Sequence, residues 1–204
     1  MISHRMLFSL LVVTGSLLGQ DTQTPPVANP ALRLELLRRV EQDQLVRREL
    51  IAKGVQQTTE EDVAPVRAVD ADNTARMKAI VQQYGWPSSE LVGKDGSEAA
   101  FLLVQHADGD RAFQKAMLPL VRNAYLSGGL SGQDFASLQD RVLVGEGRPQ
   151  MYGSQFQVRG TELVPEPIED EPNVDRRRAE VGLPPLAEYL ELARRMYFPE
   201  DKPE

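Results

Sequence analysis

Ser97-Glu98-Ala99-Ala100-Phe101-Leu102-Leu103-Val104-Gln105-His106-Ala107-Asp108 is the stretch on which the fold turns. Residues 99–104 are apolar all round a helical wheel, so a helix there has no solvent face and belongs at the centre of a bundle. A buried strand is the alternative, because short apolar runs suit both. Ser97 is placed to cap such a helix and Gly109 to close it. Beyond the run the chemistry reverses. Gln105, His106 and Asp108 stand at its far end, where burial of the run carries them inward.

Working outward, the flanking segments are helical. Asn29-Pro30 is a start signal, since Asn caps and Pro suits the first turn. The helix should run to Lys53. Leu36, Val40, Asp43, Arg47 and Leu50 share one narrow arc of it, so an acid and a base four apart sit in the centre of an apolar stripe. Either the stripe emerges to solvent there, or the pair faces inward and organises a site. Residues 55–69 read as a loop or a short helix. A second helix should begin at Asp72 or Asn73, with Asn73 as its cap, and end before Gly85. After His106, Asp110 caps a helix bearing Phe113, Met117 and Val121, kinked by Pro119. Ser131 opens another with Phe135, Leu138 and Val142. Residues 150–158 alternate loosely and pair with Leu163-Val164 as a strand or hairpin. Two closing helices, residues 174–181 and 184–197, follow an acidic Pro-rich connection. The expected fold is mainly α: a single compact multi-helix domain over residues 30–198 with a small β element near the C-terminal third. Residues 199–204 are expected to be disordered.

The N-terminus reads differently. His4 and Arg5 precede an apolar run from Met6 to Leu18, then Gly19 and a polar, Pro-containing linker over residues 20–29. The run is too short to span a bilayer, so residues 1–19 read as a secretory signal peptide. The expected location is extracytoplasmic, periplasmic or secreted, with no membrane attachment after cleavage. An uncleaved anchor and a buried helix are the alternatives.

The chain carries 23 Lys and Arg against 30 Asp and Glu, a net charge of −7. Nucleic acid is therefore not an expected partner, because such binding rests on Lys and Arg. Cysteine is absent, which excludes disulfides and thiolate metal sites. No phosphate loop, dinucleotide fingerprint, His-Glu-x-x-His or Gly-x-Ser-x-Gly occurs. Removal of residues 1–19 leaves one histidine, so no metal and no cofactor is expected. A small-molecule or peptide ligand fits the polar residues that remain.

Those residues form the candidate site. His106 is the one side chain whose ordinary titration lies near neutrality, and with Asp108 it is the catalytic candidate. If both lie in one helical turn, positions i and i+2 do not face each other, so Asp108 has to sit past the helix end to help. Asp43 is the other candidate to orient it. Asp43, Arg47, Gln105, Asp140, Arg141, Gln150, Tyr152 and Gln155 are the substrate-binding candidates. Asp140-Arg141 falls off its helix's apolar stripe, which alone favours a solvated pair. Gly153 allows a bend that brings the amides and the phenol together.

The order Gly85-Trp86-Pro87, Gln105-His106-Ala107-Asp108, Gln114, Asp140-Arg141, Gln150-x-Tyr152-Gly153-Ser154-Gln155, Pro167-Ile168-Glu169-Asp170 and Val174-Asp175-x-x-Arg178 resembles the bacterial DUF6624 family. The family usually has Thr where this chain has Ser154, and both carry a hydroxyl. The resemblance implies that these polar residues form one recurring constellation. It supplies no reaction. Two readings result: an acid–base enzyme acting on a small polar or anionic substrate, and a non-catalytic binding module whose polar network is structural. His106, Asp140, Arg141, Gln150, Tyr152 and Gln155 are expected to converge on one cavity.

Overall fold

The computed structural model describes residues 27–53, 58–159 and 162–198. The signal peptide, most of the linker and the C-terminal tail of the sequence reading lie outside these residues. The chain divides into two compact units between Ser131 and Gly132. Among the described residues the elements are seven α-helices, one short 3-10 helix and one two-stranded sheet.

In the first unit α1 spans Pro30–Ala52, and the Asn29 side chain accepts from the Leu32 N–H as expected of a cap. Helix α2 spans Glu60–Tyr84, a dozen residues longer at its start than the sequence suggested. The reason is a capping box: Thr59 accepts from the Asp62 N–H while Asp62 accepts from the Thr59 N–H. With Glu60, Glu61 and Asp62 favourably placed at the positive end, the segment is helical from its first turn. Asn73 is consequently not a cap but a buried residue in mid-helix. Glu35 pairs with Arg76, Arg39 with Asp72, Arg47 with Asp70 and Lys53 with Asp62, so α1 and α2 run antiparallel.

Helix α3 spans Ser89–Gln105 and kinks at Gly93, whose φ of +79° favours glycine. Its cap is Ser88 rather than Ser97. Ser97 is buried and accepts from the Trp86 indole N–H at 3.3 Å. Residues 99–104 are all buried, as a central helix requires. Helix α4, Arg111–Leu126, starts at the Asp110 cap. Leu36, Met77, Ile80, Phe101, Leu103 and Val121 form the heart of the apolar interior, each at most 1% exposed.

In the second unit α5 spans Gly132–Gly145. Strands β1, Phe156–Arg159, and β2, Glu162–Pro165, pair antiparallel, with Phe156 opposite Pro165 and Arg159 opposite Glu162. Strand structure thus begins later than the expected Gln150, which makes only an isolated bridge to Ile168. A 3-10 turn, Glu171–Asn173, leads into α6, Val174–Glu180, and α7, Leu186–Tyr197, closes the chain. Phe156, Tyr189 and Ala193 form its buried apolar cluster with Leu163, Leu186 and Leu190 against them.

Candidate functional site

Polar side chains collect in two places, one in each unit. The first lies where α1, α2 and the end of α3 meet. Asp43 is fully buried on the inward stripe of α1. It accepts from Arg47 Nη1 at 2.7 Å and from Gln44 Nε2 at 2.9 Å. Both of its oxygens also lie 3.0 Å from His106 Nδ1. Arg47 donates its other arm, Nη2, to Asp70 on α2 at 2.7 Å. The inward reading of the Asp43–Arg47 pair is therefore the one realised, and the pair has the further partners that a buried ion pair needs. His106 retains a side-chain exposure of 12%, so the imidazole is held by a buried carboxylate while part of it still meets solvent.

The electrostatics follow from this packing. Burial alone pushes the Asp43 carboxyl up, but the His106 hydrogen bond and charge, with Arg47 and Gln44, hold it below the usual carboxylate range. Asp70 goes the other way, to about 6. Burial is the main cause; Arg47 opposes it, and the charges of Asp43 and Asp108 add to it. One guanidinium thus serves two carboxylates, and Asp70 is the one left under-compensated.

Asp108 borders the cluster, near enough for its charge to act on Asp70. Its carboxylate accepts from Gln114 Nε2 at 3.1 Å and lies 3.4 Å from Arg111 Nη1. Gln114 is buried and also donates to the Gln105 carbonyl at 2.9 Å, which fastens the turn after α3. Gln105 itself is fully buried, and neither atom of its amide has a partner. Asp70 went unnoticed in the sequence because its helix start was placed too late; the Thr59-x-x-Asp62 capping box was the signal that would have placed it. Asp43, Asp70 and His106 also bring three donor atoms within 4.8 Å of one another, a spacing that suits a metal ion. Arg47 already bridges the two carboxylates, so a cation there has to displace a guanidinium.

The second collection surrounds the turn after α5. Asp140 and Arg141 are 0% and 4% exposed, not the solvated pair that their wheel position suggested. The physical reason is that α5 is covered on most of its circumference, and residues 150–155 fold over Asp140. Its carboxylate accepts from the N–H groups of Met151, Tyr152 and Ser154 at 2.7, 3.1 and 2.9 Å. Burial pushes the Asp140 carboxyl up, with these backbone donors acting against the shift. Gln150 donates to the carbonyls of Gln155 and Glu166 and accepts from the Gln155 N–H. Gln155 accepts from Arg141 and donates to Ser137 O and Ser154 Oγ. Gly153 has a φ of +71°, the bend that the sequence suggested. Arg178, 1% exposed, donates to the carbonyls of Tyr152 and Pro184 and stacks over the Tyr189 ring at 4.9 Å. Tyr152 packs edge-on against Phe135.

The candidates therefore sort into two sets. Asp43, Arg47 and His106 meet, with Gln105 and Asp108 beside them in the chain. Asp140, Arg141, Gln150, Tyr152 and Gln155 meet around the 150–155 turn.

Residues 30–200 match the family described as "Family of unknown function (DUF6624)". The match covers most of the chain, and the protein belongs to that family. No curated protein and no solved structure matches it.

Proposed function

We propose that this DUF6624 member is an exported acid–base enzyme acting on a small polar or anionic substrate, with His106 as the proton-transfer group. The observation that carries the reading is His106 Nδ1 lying 3.0 Å from both oxygens of a fully buried Asp43. A carboxylate in that place fixes the imidazole as the tautomer with its proton on Nδ1. Proton exchange with a substrate then falls to Nε2. As base, neutral His106 takes a substrate proton at Nε2; the imidazolium so formed is stabilised by Asp43 and returns the proton to the leaving group or product. Arg47 and Gln44 hold Asp43 in place. Asp108 is a positioning residue, tying the turn that carries His106 to α4 through Gln114. Export rests on residues 1–19, whose basic start, short apolar run and Gly19 have the signal-peptide pattern.

The Asp140 set supports the structural reading for its own unit. Asp140 and Gln150 bond to the backbone of residues 150–155 and 166, and Gln155 ties that turn to Ser137 and Arg141 of α5, the arrangement of a network that specifies a loop. We assign Asp140, Gln150 and Gln155 to that role.

The test is a turnover screen of the purified protein against small esters, amides and phosphoesters, with His106→Gln alongside. General acid–base catalysis contributes about 10²–10⁴-fold, so the variant should lose turnover by that order while keeping the wild-type far-ultraviolet circular dichroism. Turnover unchanged in a folded His106→Gln protein removes the proposal and leaves a binding module.

A further inference from the structure

A cavity of about 540 Å³ opens between α1 and α2 within the first unit. That is a fitting size for a small-molecule site. Its polar wall is built by Glu35, Arg38, Arg39, Gln42, Asp72 and Asn73, and Ala68 and Val69 give it an apolar part. We propose that it recognises the carboxylate of a small organic acid, through Arg38 and the buried amide of Asn73. The site deepens the reading above by naming a substrate class. The identification of that acid as the substrate rests on the acid–base reading, whereas the binding claim stands on the cavity alone.

Charge accounting points to an anion. Glu35 accepts from both Arg39 and Arg76, at 3.1 and 2.6 Å. Asp72 accepts from Arg39 at 2.7 Å. Those carboxylates are committed. Arg38 is different: its Nε donates to the Leu34 carbonyl at 3.2 Å, and among the described residues no carboxylate pairs with it. The cavity thus carries one cation without a counter-charge.

The independent observation is Asn73. This residue is only 3% exposed and lines the cavity. Its Oδ1 accepts from Arg39 at 3.0 Å, while its Nδ2 is buried and has no acceptor. An unsatisfied buried donor is costly, so folding tolerates it most readily where a ligand oxygen completes the bond. A guanidinium and an amide N–H together suit the planar, doubly accepting carboxylate. Inorganic phosphate brings more negative charge than one spare cation balances, and Glu35 and Asp72 stand in the same wall.

Place supports the link to His106. Arg39 and Asp43 lie four residues apart on α1, and Asp70 and Asn73 lie three apart on α2. The cavity wall therefore begins one helical turn, about 5 Å, from the carboxylates that hold His106 and Arg47.

The experiment uses the ¹⁵N-labelled full chain titrated with propionate, a monocarboxylate, with inorganic phosphate as comparison, in wild type, Arg38→Gln and His106→Gln. Arg38 is exposed, so its replacement leaves the fold intact. The proposal expects propionate to shift the Asn73 side-chain amide saturably and Arg38→Gln to weaken binding at least tenfold. It also expects His106→Gln to bind as wild type does, which separates recognition from catalysis. An Asn73 signal that propionate does not move, an equal affinity in Arg38→Gln, or an equal response to phosphate overturns it.

Discussion

Replacing Asp43 with alanine removes the centre of the first polar cluster. Asp43 is fully buried and accepts from Arg47, Gln44 and His106. Its loss leaves the His106 imidazole without its orienting acceptor and the Arg47 Nη1 arm without a carboxylate. Arg47 keeps Asp70 at 2.7 Å and is itself 19% exposed, so its charge is not stranded. Breaking a buried pair by removing one partner costs about 3–5 kcal/mol, and the surviving Asp70 contact puts the expectation at the lower end, about 3 kcal/mol. Against a domain stability of about 5–15 kcal/mol, that is a large fraction and easily read. Urea unfolding at neutral pH is the assay, with the midpoint converted through an unchanged slope. A loss under about 1 kcal/mol is what an exposed pair gives, and it would refute the claim that the α1 stripe carries a buried, organising carboxylate.

Asp70 makes a prediction about pH. Its folded carboxyl is raised from 3.8 to about 6 by burial and by Asp43 and Asp108, with Arg47 opposing and His106 bound to the same Asp43. The folded state therefore holds the Asp70 proton more tightly, and its contribution to stability is fully present below 3.8 and declines as pH rises through about 6. The shift corresponds to about 3 kcal/mol. Asp70→Asn should gain on wild type by that order between pH 4 and 7, and parallel stability curves contradict it. Asp43 has the opposite sign: its depressed carboxyl stabilises above 3.8, and that contribution is lost only as pH falls further. In the second unit, Asp140→Ala leaves three backbone N–H groups without their acceptor. At about 1–3 kcal/mol each, it should cost at least about 3 kcal/mol in the same unfolding assay, and a loss near zero overturns the structural assignment of this carboxylate.

The helical fold was legible because residues 99–104 are apolar on every face and because Asn29, Asp110 and the glycines punctuate the segments. The β element was placed correctly near residues 156–165, since loose alternation marks a hairpin even where its first residue is uncertain. The start of α2 was missed because a polar run, Thr58 to Asp62, reads as a loop unless Thr59 and Asp62 are seen as reciprocal caps. That error hid Asp70 and turned Asn73 into a cap. Of the cluster on α1, Asp43 and Arg47 were visible because charged residues in the middle of an apolar stripe demand an explanation. The burial of Asp140 was not visible. Its acceptors' partners are backbone N–H groups of residues 151, 152 and 154, and backbone donors leave no mark on a helical wheel.

The account rests on the Asp43–His106 contact, and the tautomer of His106 tests it most directly. Long-range ¹H–¹⁵N correlation of the imidazole, assigned by comparison with His106→Gln, reports which ring nitrogen carries the proton once the ring is neutral. The account predicts a protonated Nδ1 and an unprotonated Nε2, with that preference lost in Asp43→Ala. A neutral ring protonated on Nε2, or a tautomer indifferent to Asp43, contradicts it.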